Sequence, residues 1–164
     1  MASTYEILLL AATAQLAPPV TATPVSTISN GTVTVGTTET FDAVLGYYAV
    51  TLVAGRRYLA VVNGLVGNGT VTADVFSVQI RNSGSASNPT SSSTLITQTE
   101  WYVPAVGSSG RDGITLSGSF IAPASGVNTL GVSATRAVGS GVFTPVVGPG
   151  NSVRELYVMY LGAV

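Results

Sequence analysis

The stretch from Gly118 to Gly131 reads GSFIAPASGVNTLG and decides the fold of this chain. It joins two β-rich segments through the turn-forming residues Pro-Ala-Ser-Gly. Because proline fixes φ and lacks an N–H, Pro123 is expected to end the first strand, and Gly126 gives the backbone the freedom that a turn needs. Phe120 precedes this turn and is expected to fill the core between two sheets.

The rest of the chain has the same character, with short β-rich segments separated by Gly, Pro, Asn and Ser. It contains 19 Gly and 8 Pro and no Lys. The segment 74–81 (DVFSVQIR) alternates and predicts a half-buried strand, and 47–53 and 57–62 predict a hairpin. Residues 26–164 are therefore expected to form one all-β domain, a two-sheet jelly-roll sandwich of roughly eight to ten strands.

Residues 1–25 differ from this domain and are interpreted as an N-terminal arm with a Pro-rich linker. The apolar run 7–14 has no basic residue before it and is far shorter than the roughly 20 residues that span a bilayer, so neither a signal peptide nor a membrane anchor is expected. The arm is predicted to attach the domain to a larger particle, and the alternative is that it folds back as an edge strand. The predicted attachment residues are Tyr5, Ile7, Leu8, Leu9 and Leu10.

Charged residues make up only 8% of the chain, and the net charge is −1. A soluble domain typically has about 25% charged residues, which keep its copies apart. Much of the surface is therefore expected to be covered by other protein, although a monomer with a Ser/Thr-rich surface is an alternative. The six basic residues are scattered, so no stripe exists to neutralise the phosphates of a nucleic acid.

Side chains suited to catalysis are scarce. The chain has no Cys and no His, which removes thiolate chemistry, the commonest general base and the commonest metal ligand. Two carboxylates, Glu39 and Asp42, lie near each other, and Glu100 stands beside Trp101, a residue type that stacks on sugars. Glu100 and Trp101 are therefore a possible ligand contact, against the simpler interpretation of solvated charges and core aromatics. No enzyme activity, catalytic residue, cofactor or metal site is expected.

The last strand, 153–161, is apolar on both faces. Leu156, Val158 and Tyr160 share one face, while Tyr157, Met159 and Leu161 share the other. A strand with one solvent-exposed face alternates apolar and polar residues, and this strand does not. One face can fill the core of its own domain, so Tyr157, Met159 and Leu161 are predicted to form the interface of a homotrimer.

Five residues of the central stretch, Gly118, Phe120, Ala122, Pro123 and Gly126, match the motif Gly-x-Phe-x-Ala-Pro-x-x-Gly-x-Tyr-x-Phe. The stretch thereby resembles the jelly rolls of complement-type globular heads and tumour-necrosis-factor-like ligands, with Asn128 and Leu130 in place of the two later aromatics. The resemblance implies a last strand that runs along a trimer axis. The composition and the ending ELYV-x-x-LG also resemble small head decoration or minor tail proteins of actinobacterial tailed phages.

These resemblances imply a non-enzymatic virion protein. The expected function is a trimeric decoration, or cement, protein that binds the major capsid protein or other virion proteins on the capsid exterior. The alternative is a minor tail or tail-tip protein that binds a host surface glycan. A cytokine-like ligand is a third possibility, against which the lack of a signal peptide counts. Neither a nucleic acid nor a membrane is an expected partner.

Overall fold

The computed structural model describes residues 20–21, 23–24, 33, 35–42, 45–69, 71, 73–103, 112–141, 143–146 and 155–163. These residues contain strands and turns but no helix, so the prediction of an all-β chain is confirmed. The strands are β1 Val20–Thr21, β2 Thr23–Pro24, β3 Thr40–Phe41, β4 Tyr47–Leu52, β5 Arg56–Gly69, β6 Val75–Asn82, β7 Thr94–Tyr102, β8 Asp112–Ile121, β9 Gly126–Val138, β10 Phe143–Val146 and β11 Glu155–Ala163.

The strands form two antiparallel sheets. The first sheet has the order β1-β11-β5-β8, and β10 also pairs with β5; the second has the order β2-β4-β9-β6-β7, and β3 pairs with β9. The antiparallel pairs are nested along the chain: β1 with β11, β4 with β9, β5 with β8, and β6 with β7. Successive nested pairs alternate between the sheets, which is the arrangement of a jelly roll. The predicted two-sheet sandwich is confirmed.

The central stretch behaves as its residues predict. Strand β8 lies in the first sheet and β9 in the second, so the connection between them crosses from one sheet to the other. Phe120 is 7% exposed, and its ring centroid lies 5.9 Å from that of Tyr58. Gly126 begins β9 with a φ of +100°, a left-handed conformation that side chains with a Cβ rarely adopt.

The hairpin predicted for residues 47–62 does not form, although its turn does. The N–H of Arg56 donates to the carbonyl of Val53 at 3.2 Å, but β4 pairs with β9 and β5 pairs with β11 and β8. A tight connection serves a corner between two sheets as well as a hairpin, and tertiary contacts decide between them. Here Gly55 donates to the carbonyl of Ala122 at 3.0 Å, which fixes this corner beside the one between β8 and β9.

The core lies between the two sheets. The predicted inward face of β6 is confirmed, since Phe76, Val78 and Ile80 are fully buried. The opposite face of β6 is not solvated as a half-buried strand requires, because Ser77 and Gln79 are each 7% exposed. Another part of the same chain therefore covers the outer face of the second sheet.

Candidate functional site

The outer face of the second sheet is covered first by the segment 35–42. The carboxylate of Glu39 accepts a hydrogen bond from Arg81 Nε at 2.7 Å and another from the hydroxyl of Ser133. Arg81 also donates to the side-chain oxygen of Gln79 at 3.1 Å and to the carbonyl of Ser93 at 2.9 Å. Both ionic side chains are largely buried, at 9% exposed for Glu39 and 16% for Arg81. This network ties the segment to the sheet.

The loop between β6 and β7 covers the next part of the same face. Pro89 is buried, and a Cβ at Gly131 would overlap its ring, so the proline lies directly on β9. The N–H of Thr129 donates to the carbonyl of Ser85 at 2.7 Å, and its hydroxyl donates to the carbonyl of Ala86 at 3.1 Å. The outer face of the second sheet is thus covered over β6 and β9 by its own chain.

The outer face of the first sheet is different. In the middle of β5 and β11 its outward side chains are apolar and only partly buried, with Tyr157 paired to Val61 and Met159 paired to Leu59 across the strands. Leu161 follows at a β-bulge between Tyr160 and Gly162 and is 44% exposed. We call this surface the apolar face; its residues are Leu59, Val61, Tyr157, Met159 and Leu161.

The inward side of β11 confirms the predicted division of its faces. Leu156 is fully buried and Val158 is 3% exposed. Tyr160 packs against the core with its ring centroid 5.7 Å from that of Tyr58, and its hydroxyl accepts a hydrogen bond from Arg56 at 3.1 Å. Of the residues predicted for a trimer interface, Tyr157 and Met159 therefore share the outward side and Leu161 lies at a β-bulge; the trimer itself stays a prediction.

One polar pair borders the apolar face. The hydroxyl of Tyr157 donates a hydrogen bond to the carboxylate of Glu155, two residues earlier on the same side of β11. This bond, reinforced by burial and by the carboxylate charge, raises the pKa of Tyr157 above its ordinary value of 10.0. The pair joins two side chains of one strand, so it sets the conformation of Tyr157 at the rim.

The structure does not bring Glu100 and Trp101 together. Trp101 is 5% exposed, and its ring centroid lies 6.1 Å from that of Phe76 and 5.4 Å from that of Phe143. Glu100 is exposed on the opposite side of β7, where it pairs with Ser77. The indole presents no open face on which a sugar would stack, and its position is that of a core aromatic, the simpler interpretation of this residue.

Glycoside hydrolysis needs two facing carboxylates, and Oε1 of Glu39 already accepts hydrogen bonds from both Arg81 and Ser133. Among the described residues, no three acidic side chains come together as a metal site would require. No described helix is long and apolar enough to span a membrane. The predicted attachment residues, Tyr5, Ile7, Leu8, Leu9 and Leu10, lie outside the described residues.

Sequence reasoning missed Asp74, which is 2% exposed at the start of β6. Its carboxylate accepts hydrogen bonds from the main-chain N–H groups of Ser140, at 3.3 Å, and Gly141, at 2.5 Å. These donors lie in the turn between β9 and β10, far away in the sequence. Nothing in the residues near Asp74 indicates the contact, so only the fold reveals it.

No protein-family description and no curated protein matches this chain. Among solved structures, it is similar to the insecticidal delta-endotoxin Cry8Ea1 of Bacillus thuringiensis, with 11% identity and a TM-score of 0.39 over 85% of this chain and 20% of the toxin. It is also similar to the C-terminal domain of EclA, a sugar-binding protein, with 18% identity and a TM-score of 0.36 over 82% of this chain and 77% of that domain. The chain spans one fifth of the toxin's length, and neither likeness bears on function.

Proposed function

We propose that this protein is a non-enzymatic structural module that assembles as a homotrimer through the apolar face of its first sheet. The observation that carries the proposal is the difference between the two outer faces. The segment 35–42 and the loop 83–93 lie over the second sheet, whereas Leu161 on the first sheet is 44% exposed. A row of partly exposed apolar side chains is typical of a surface that meets another protein.

The composition supports self-association. With 8% charged residues, the surface lacks the like charges that would hold copies apart. Burying apolar area contributes about 25 cal/mol per Å² before the costs of association are subtracted. Aromatic and Met side chains, which Tyr157 and Met159 supply here, are enriched in such interfaces. Copies related by a three-fold axis would cover the apolar face of each subunit.

We further propose that the trimer is a decoration protein on the exterior of a virus particle, where it binds the major capsid protein or other virion proteins. This assignment rests on the resemblance of residues 118–131, of the composition and of the ending to phage virion proteins. The alternative of a tail-tip protein that binds a host glycan relied on Trp101, which is buried. The decoration function is therefore the one that we retain.

The oligomeric state tests the first part of the proposal. Light scattering at micromolar concentration should give the mass of three chains. A monomer mass in solution, together with no trimer on the particle, would refute it. An image reconstruction of the intact particle should show the trimer on the capsid exterior, and density on the tail alone would refute the decoration function.

The attachment is tested in the full-length protein. Replacing Leu8, Leu9 and Leu10 by Ser should leave the trimer intact and abolish binding to particles, because the apolar arm is proposed as the anchor. The matched control replaces Ala11 and Ala12 by Ser in the same segment and should bind normally. If the Leu variant still decorates particles at full occupancy, another surface holds the trimer in place.

A further inference from the structure

An open groove of about 540 Å³ lies where the edge strands of the two sheets meet. Strands β7 and β8 touch at Gly118, where an added Cβ would lie 2.6 Å from Cβ of Thr97 and 3.0 Å from the carbonyl oxygen of Ile96. The groove lies beside this contact, at the beginning of β7 and the end of β8. Its lining residues are Arg57, Thr94, Leu95, Ser119, Phe120 and Ile121.

One wall of the groove is the edge of β8 with which no described strand pairs. The N–H of Ala122 donates to the carbonyl of Arg56 at 2.9 Å, toward β5. Because main-chain groups alternate in direction along an antiparallel strand, those of Ile121 and Ser119 point away from β5, toward the groove. In the described part of the chain they have no hydrogen-bond partner. They are therefore free to pair with an added strand.

The groove also offers a cation beside apolar surface. Arg57 is exposed, and no described residue forms an ion pair or hydrogen bond with its guanidinium. Leu95 is 44% exposed and Ile121 is 48% exposed. An unpaired guanidinium next to two aliphatic side chains is complementary to a carboxylate next to an apolar side chain.

We propose that this groove binds an extended acidic segment of another protein, which adds as a strand to the free edge of β8. Main-chain hydrogen bonds to Ser119 and Ile121 would hold the segment. A carboxylate of the segment pairs with Arg57, and an apolar side chain packs on Leu95 and Ile121. A sugar fits less well, because Phe120 is 7% exposed and gives no aromatic face for stacking. The site adjoins the apolar face, because Ser119 pairs with Leu59 across β8 and β5, but the proposal does not require the trimer.

The probes are capped five-residue peptides of alternating Val and Thr with one Glu, the Glu placed at each position in turn, and matching peptides with Gln. They are added in millimolar excess to the ¹⁵N-labelled full-length protein. Glu peptides should shift the amide resonances of Ser119 and Ile121 and bind several-fold more tightly than their Gln counterparts. If no peptide shifts these resonances, or if Glu and Gln peptides bind equally, the proposal is overturned.

Two variants locate the interaction. Arg57→Gln should remove the preference for Glu, whereas Arg56→Gln, an equal loss of charge at the neighbouring residue, should keep it. Ser119→Pro should abolish binding, because it removes an edge donor that β5 does not use. Arg57→Gln alone remains a valid test if the proline variant does not fold.

Two other outcomes would also overturn the proposal. If N-acetylneuraminic acid shifts the same resonances and binds more tightly than every Glu peptide, the groove is an acidic-sugar site. If Arg57→Gln changes the mass of the assembly measured by light scattering, the groove is a contact between copies of this chain.

Discussion

Gly139 lies so close to the carboxylate of Asp74 that a Cβ at position 139 would overlap the Oδ1 atom. The same carboxylate accepts the N–H groups of Ser140 and Gly141. A buried charge is tolerated when polar donors satisfy it. The pair thus joins the start of β6 to the turn between β9 and β10, and the absence of a side chain at Gly139 makes room for it.

Gly139→Ala should destabilise the protein by more than about 2 kcal/mol, because it adds a steric overlap to a strained φ. Gly126→Ala is the matched control. Its φ of +100° equals the +99° of Gly139 within a degree, but no atom lies within 4 Å of its added Cβ. The control should cost about 1 kcal/mol, the strain alone. Urea unfolding gives the free energy of unfolding of both variants. Equal losses would show that the overlap with Asp74 does not contribute.

Glu39→Gln should lower the free energy of unfolding by about 1–3 kcal/mol, since Arg81 would lose its charged partner in a largely buried position. Glu100→Gln is the control, because Glu100 is exposed, and it should change stability by less than about 0.5 kcal/mol. Thermal unfolding followed by circular dichroism gives the comparison. A variant at Glu39 that unfolds like the control would show that the network adds no stability.

Phe120→Ala should cost about 3–5 kcal/mol, the range for a buried Phe. The adjacent Ile121 is 48% exposed, so Ile121→Ala should cost less than about 1 kcal/mol. Chemical denaturation of the two variants tests whether Phe120, which precedes the connection between the two sheets, fills the core. A near-neutral Phe120→Ala would contradict the placement of this residue.

Met159→Glu or Tyr157→Asp should abolish the trimer, because three like charges would converge on the apolar face in a site of low dielectric. Thr37→Glu places the same charge on an exposed residue elsewhere and should leave the trimer intact. Light scattering gives the mass, and circular dichroism confirms that each variant is folded. A Met159→Glu protein that stays trimeric with an unchanged Tm would place the interface elsewhere.

Tyr157 should contribute a pH dependence at alkaline pH. Its folded-state pKa is raised by the hydrogen bond to Glu155, by burial and by the carboxylate charge. A raised folded pKa gives stability that is present below the ordinary value of 10.0 and is lost as pH rises through the folded value. The tyrosinate absorbance of the protein minus that of Tyr157→Phe isolates this group. Glu155→Gln should lower its pKa, and an unchanged titration would exclude the carboxylate as the cause.

The two-sheet sandwich follows from the sequence because its signals are local. Turn chemistry at Pro123 and Gly126 and the alternation along β6 each depend on neighbours within a few residues. The hairpin expected at Gly55 failed because a tight turn does not specify which sheet its second strand joins. The corner includes a hydrogen bond from Gly55 to Ala122, which lies far away in the sequence, so local signals do not indicate it.

Part of the candidate site also follows from the sequence. The period of a strand places Tyr157 and Met159 on one side of β11, whereas the β-bulge at Leu161 has no local signal. The covering of the outer face of the second sheet was not predictable, because the composition of the Ser-rich loop 83–93 is typical of a loop exposed to solvent. Its docking depends on the space that Gly131 leaves for Pro89. Trp101 illustrates the same limit. It and Glu100 are adjacent on a strand and so lie on opposite sides, but the sequence does not indicate which side is buried.

The nested pairing of the strands has a consequence for the order of folding. The pair β6 and β7 closes a short loop, whereas Val20 meets Val158 only across nearly the whole chain. Chain-closure entropy grows with that separation, and non-local topologies fold slowly. The row of apolar side chains on β11 is complete only after β11 has paired with β5. The self-association proposed for that surface would therefore belong to the finished domain, because a chain in which β11 is still unpaired would lack the surface.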